Sequence, residues 1–255
     1  PPLRVPEPYA SMFDPEALVL PSNVGQHSEG EPPGRRQGAA AQIAEDVVMA
    51  DWRRAWAAHL GLVNLADTGI GRVLDTLDQE GLTRETVTLF TVDHGDHLGQ
   101  HRMYQKMEMY EQAVRLPLMI RAPGGATRTF STPVSHLDVL PTLLDLMGRP
   151  DPGDLDGISL AHCVREGTRP KDRTVFSQYS GNPARGDIRR AAITRRYKFI
   201  YDPDDLPELY DLKTDPLEMH NLAADLGHAD LQKRLHAELA DWHKAHGDWV
   251  DYREV

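Results

Sequence analysis

"TVDHGDHLGQHRMYQKMEMYEQAVRLPLMIRAPGG" (residues 91–125) decides how this chain is read. The run leading into it, "ETVTLFTV" (85–92), is β-branched and apolar without alternation, the pattern of a strand buried on both faces. It ends on Asp93 and His94, followed by Gly95, where a missing Cβ lets the backbone turn tightly. A second strand of the same character, "RLPLMIRAP" (115–123), closes on Pro123-Gly124-Gly125.

On the far side, "VSHLDVLPTLLDLMG" (134–148) reads as a helix: Ser135 and Asp138 form a capping-box start, and Gly148 follows the last apolar residue. On the near side, residues 39–82 repeat apolar positions at three- and four-residue steps (Trp52, Trp56, Leu60, Val63, Ile70, Val73) and predict one long helix. Gly81 is its expected C-cap, while Gly69 and Gly71 weaken the middle. Helix, strand, loop, strand, helix is an α/β layout.

The flanks differ in texture. Residues 1–38 hold eight of the 19 prolines and read as an extended surface segment of the main domain. Residues 39–167 form the α/β core, and 168–255 a small α+β subdomain. In that last part, strand-like pieces alternate with turns before a final helix at 229–246, with Leu231, Leu235, Leu239 and Trp242 on one face.

Composition narrows the function classes. Thirty-nine acidic against 28 basic residues give a net charge of -11, which disfavours nucleic acid and anionic membranes as partners. No apolar run approaches the roughly 18–20 residues that span a bilayer. One cysteine, Cys163, excludes a disulfide framework and a multi-cysteine zinc site. The chain begins Pro-Pro, without methionine or signal pattern, and reads like the inside of a longer chain; either a cytoplasmic or a periplasmic location is compatible with it.

The chemistry concentrates at 93–106. Ligands of open α/β sheets lie beyond the carboxyl ends of strands, where Asp93 and His94 stand. A carboxylate and an imidazole on one turn can both reach one cation. Alone, Asp-His-Gly after a strand is more often a capped turn with an exposed acid. Its company is what favours chemistry: His97, His101, Lys106, and Arg115 before the second strand.

"LFTVDHGDHLGQHRMYQKMEMYEQAVRLPLMIRAPG" resembles the C-terminal half of the sulfatase family, of the alkaline phosphatase superfamily. The family's pattern is Ser-Asp-His/Asn-Gly, Leu-Gly-Glu-His, a lysine, then Tyr-Glu-x-x-x-Arg-x-Pro. Val92 and Gln100 stand where the family has serine and glutamate. "RRYKFIYDPDDLPELYDLKTDPLEMHNLA" resembles its C-terminal subdomain, so the likeness runs along nearly the whole chain. The resemblance implies a partial alkaline-phosphatase-like mixed sheet flanked by helices, with a small antiparallel sheet plus helix after it. It also implies that Asp93 and His94 are ligands of one divalent cation, with calcium expected and magnesium or manganese as alternatives. Lys106, twelve residues after His94, would be the catalytic and substrate-binding lysine on the sulfate oxygens. His97 and His101 match turn positions rather than ligands.

The family's nucleophile is a formylglycine made within Cys/Ser-x-Pro-x-Arg. Cys163 in "HCVREG" lacks that context, and "GNPAR" (181–185) has Gly181 at the nucleophile position. Asp204-Asp205, a candidate for the family's first metal pair, falls in a proline-rich turn where acids are structural. The nucleophile, the first aspartates and a histidine are therefore expected upstream, in an N-terminal part of the same protein.

Three functions follow. One is a sulfate ester hydrolase acting on a small anionic ester, represented by half of its active site and inactive as this chain alone. The second is a phosphonate monoester or phosphodiester hydrolase of the same superfamily. The third is an inactive fragment or accessory module.

Overall fold

The two strands that bracket the Asp-His-Gly turn pair with each other. A computed structural model describes residues 3–181 and 188–253, and in it β1 (Thr88–Thr91) and β2 (Leu118–Arg121) run antiparallel, with Thr88 opposite Arg121 and Thr91 opposite Leu118. The expectation of burial on both faces is corrected: β1 is half-buried along its length, and Met119 of β2 is 59% exposed. Among the described residues these two strands alone share that sheet, and their pairing is antiparallel.

The long-helix expectation is also corrected at its start. α1 (Ala39–Gln42) is a single turn, the chain then bends, and α2 (Met49–Gln79) begins after an extended Val48. The bend seats Ala44 against Val24 and Trp52, a small core that a straight helix would pull apart. The β-branched pair Val47-Val48 is where continued helix is locally least favoured. Gly69 and Gly71 do not interrupt α2; a Cβ at either would meet nothing within 4 Å. Each costs about 1 kcal/mol of helix propensity, which the surrounding turns absorb. Gly81 ends the segment with φ +71°.

After β2 comes a capping box as read from sequence: the Asp138 carboxylate accepts the Ser135 N–H, and Ser135 caps the turn leading into α4 (Val139–Leu146). α5 (Ala161–Glu166) follows, carrying Cys163 buried at its third position.

β3 (Val175–Tyr179), β4 (Arg189–Ile193), β5 (Tyr197–Tyr201) and β6 (Glu208–Asp211) form an antiparallel meander in chain order. Strand periodicity divides its two faces. Ala192, Phe199 and Leu209 meet Leu235 and Leu239 of α6 (Ala229–Ala245). The alternate residues Ala191, Ile200 and Tyr210 meet Met103, Met109 and Tyr110 from the loop after Asp93. The terminal sheet is therefore the back wall of the loop that carries the candidate site.

The N-terminal segment contributes more than surface. Its three short 3-10 helices, Tyr9–Ser11, Pro15–Ala17 and Pro33–Arg36, wrap the fold, and Arg35 is fully buried. Its guanidinium meets Glu208 at 2.5 Å and Glu108 and Asp202 at 3.3 Å each. Burial opposes its charge, but Glu208 and Glu108 hold it protonated, with its pKa raised well above the ordinary range. Tyr110 and Tyr210 each donate a 2.7 Å hydrogen bond to Glu208. This ion cluster ties the first segment, the site loop and the terminal sheet together.

Candidate active site

Asp93 and His94 leave β1 at its carboxyl end, and Gly95 makes their position possible. The Gly95 N–H donates to the Ala113 carbonyl at 2.9 Å, and a Cβ there would lie 1.9 Å from the Gln112 carbonyl oxygen. Only glycine permits this approach, which locks the turn onto α3 (Glu111–Val114).

The two side chains are arranged by their own backbone. Asp93 Oδ1 accepts the His94 N–H at 2.9 Å, leaving Oδ2 free. His94 Nδ1 lies 2.9 Å from the Gly95 carbonyl, so it must carry the proton and donate, leaving the Nε2 lone pair exposed in the neutral ring. Nε2 and Oδ2 then converge at 3.4 Å. Two donors bound at right angles to one cation at ~2.4 Å would sit roughly 3.4 Å apart. The pair therefore fits two adjacent corners of a metal cage. The His94 N–H is the main cause that holds the Asp93 carboxyl below the usual range, so it stays ionised. Among the described residues no group of three or more histidine, cysteine or acidic side chains is placed to hold a metal ion.

Lys106 reaches the same place by a tight loop. Leu98, His101, Arg102 and Gln105 adopt left-handed backbone (φ +46° to +69°), conformations worth about 1–3 kcal/mol each in strain. They are held by Asp96, whose Oδ1 accepts the N–H groups of Leu98 (3.0 Å) and Gln105 (3.1 Å). Gly99, at φ +90°, packs against Trp52, where a Cβ would come within 2.6 Å of the ring. The loop delivers Lys106, exposed and without an ion pair among the described residues, into the cleft lined by Asp93 and His94.

That cleft has a volume of about 420 Å3. Sequence reading missed His136, whose Nε2 lies 3.1 Å from the Thr91 hydroxyl at its rim. It also missed Ser177, Gln178 and Tyr179 of β3, which form the opposite wall. His136 had a local signal, a histidine one residue after a helix cap. The β3 residues had none, because their place depends on how the terminal sheet docks.

The remaining histidines and the decoys resolve as structure. His97 and His101 are fully buried outside the cleft, and His101 stacks on Tyr110 at 4.0 Å. Burial lowers their pKa values, to about 3 and about 4. Because the unfolded rings titrate near 6.5, their contribution to stability is complete above that pH and is lost as pH falls toward 4. The unfolding free energy from urea titrations should drop between pH 7 and pH 5 by on the order of 1–2 kcal/mol per ring, and His97→Phe with His101→Phe should flatten the slope. A wild-type midpoint that does not move with pH would contradict this. Asp205 is pinned as a turn residue, accepting the Gly34 N–H at 2.7 Å and the Leu206 N–H at 2.8 Å. Cys163 sits 3.2 Å from His162 Nε2, within the short helix α5. Of "GNPAR", Asn182, Pro183, Ala184 and Arg185 lie outside the described residues.

Known proteins with this arrangement are recognisable. A sulfatase family profile matches residues 6–149, and the profile of the N-sulphoglucosamine sulphohydrolase C-terminal region matches 99–245. The chain is 37% identical over 187 residues to choline-sulfatase of Rhizobium meliloti, covering 70% of this chain and 35% of that protein. It is 34% identical over 199 residues to N-acetylglucosamine-6-O-sulfatase of Bacteroides thetaiotaomicron, covering 74% and 36%. The phosphonate monoester hydrolase SpPMH from Silicibacter pomeroyi superposes with a TM-score of 0.80 at 27% identity, over 98% of this chain and 55% of that one. The chain thus spans about a third of the length of the curated relatives it matches. Profile, relatives and superposed fold agree, and the protein belongs to the sulfatase family, with its alkaline-phosphatase-like α/β fold.

Proposed function

We propose that this chain supplies half the active site of a metal-dependent sulfate ester hydrolase. The observation that carries the reading is the convergence of Asp93 Oδ2 and His94 Nε2 at 3.4 Å in the cleft that Lys106 also lines. The two donors would hold one divalent cation. Calcium and magnesium both suit the carboxylate, while the imidazole nitrogen makes manganese a competitor. Bound there, the cation would supply positive charge toward the ester oxygens. Lys106, a mobile point charge, would pair with those oxygens and stabilise the charge that builds during in-line displacement. The acid of Asp93, already ionised, spends no proton on binding the metal.

The remaining ligands and the nucleophile would come from an N-terminal part of the same protein. That reading is supported by the share of its relatives this chain spans. It is also supported by apolar surface left open on α2 and β2, where Val63, Ile70, Val73 and Met119 are 37–62% exposed. Without that part the chain is expected to be inactive and to bind metal weakly, since two ligands rarely hold a hard cation against water. Among the described residues no helix is long and apolar enough to cross a membrane.

A second reading, a phosphonate monoester or phosphodiester hydrolase, is favoured by the superposition on SpPMH. Rates on an aryl sulfate and on a phenyl phosphonate, measured with the N-terminal part present, separate the two. A preference for the phosphonate would overturn the sulfatase reading. In the same assay Lys106→Ala should lower kcat/KM by roughly 10²–10³-fold, as loss of one charge-stabilising group does. Its melting temperature should stay put, because the side chain is exposed and makes no ion pair among the described residues. A fall in stability without a specific kinetic defect would make Lys106 a structural residue.

A further inference from the structure

A second cavity, of about 780 Å3, adjoins the Asp93–His94–Lys106 cleft, and the two share Val114, Leu116, Leu118, Val134, Val175 and Ile193 in their walls. Its charged lining is one-sided. Arg115, Arg195, Arg196 and Lys213 face it, against a single carboxylate, Glu111. This reverses the balance of the whole chain, 28 basic to 39 acidic residues.

The carboxylates nearby are already committed. Glu111 pairs with buried Lys198 at 2.7 Å and is 3.8 Å from Arg115, which remains 78% exposed. Asp211 is taken up by Arg196 through a 2.7 Å contact. Arg195 and Lys213 are exposed, with no carboxylate at ion-pair distance among the described residues. The cations come from three separate segments: the exit of α3, the β4–β5 turn, and the end of β6. Gathering like charges in one groove costs repulsion that an anionic ligand relieves, and a cleft lined by one sign concentrates such ligands. The shared walls are apolar, suited to the uncharged body of a substrate lying between the two ends.

We propose that this groove is the subsite for a second acidic group on the substrate. The substrate class is then an ester with two anionic groups, the scissile one at Lys106 and a second sulfate or carboxylate held by Arg115, Arg195 and Lys213. The inference rests on the hydrolase reading above, and binding rather than turnover tests it.

Calorimetry on the protein would compare a disulfated disaccharide with its monosulfated counterpart. The disulfate is expected to bind at least about tenfold more tightly at low salt, with the advantage shrinking as ionic strength rises. The double variant Arg195→Ala/Lys213→Ala should bring the ratio close to one. Both side chains are exposed, so folding is not at stake, and Arg115→Gln gives an independent third probe. A wild-type ratio near one, or a ratio the variants leave unchanged, overturns the subsite. A salt-dependent preference in wild type without turnover of any aryl sulfate would refute the hydrolase reading while upholding the groove.

Discussion

Asp93→Ala is expected to abolish divalent-cation binding and to lower sulfate ester turnover by roughly 10²–10³-fold or more, with no loss of fold, in the protein carrying its proposed N-terminal part. The side chain is 86% exposed, and its one backbone hydrogen bond is to its immediate neighbour. Truncation at such a position usually costs less than about 0.5 kcal/mol. What it removes is Oδ2, the oxygen that converges on His94 Nε2. His94→Ala should have the same direction of effect, since either change leaves a single ligand on this half of the site. The measurement is a calcium titration by calorimetry, repeated with manganese, alongside a melting curve. Isotherms that superimpose on wild type would sink the ligand assignment, whatever happens to turnover.

The largest stability effect is expected at Arg35. Arg35→Met keeps similar volume but leaves Glu108, Asp202 and Glu208 without one of their buried cations. Breaking a buried ion cluster from one side typically costs ~3–5 kcal/mol, because uncompensated charge remains in a low-dielectric interior. For a chain of this size that corresponds to a fall in melting temperature of roughly 6–20 °C. Arg189 limits the damage, since it also pairs with Glu108, at 2.9 Å. The adjacent Arg36 is the control. It is 59% exposed with Glu31 at 3.2 Å, and Arg36→Met should cost about 1 kcal/mol or less. Equal shifts for the two variants would show that the cluster contributes little. Because Tyr110 is bonded to Glu208 and stacked on His101, the Arg35 variant should also loosen the loop that carries Lys106.

Those neighbouring arginines mark the limit of what was legible beforehand. In "GRRQG" they are indistinguishable, and the proline-rich segment around them reads as surface. Burial of one and exposure of the other follow from contacts more than 160 residues away, with Asp202 and Glu208. The site loop was different. Asp93, His94, Gly95 and Lys106 lie within fourteen residues, and their geometry is set by turn chemistry that local sequence encodes. The capping box at Ser135 and the terminal helix were readable for the same reason: both depend on neighbours three or four positions apart.

By itself the sequence determined the α/β class, the Asp-His-Gly turn and its lysine, and the meander-plus-helix subdomain, all products of short-range periodicity and backbone hydrogen bonding. Tertiary structure alone decided where the chain breaks at 43–48, which arginine is buried, and that β3 walls the cleft beside His136. It also decided the clustering of Arg115, Arg195, Arg196 and Lys213 in one groove. These arise from packing and charge pairing between segments far apart in the chain, and such contacts leave no periodic trace in the residues that make them.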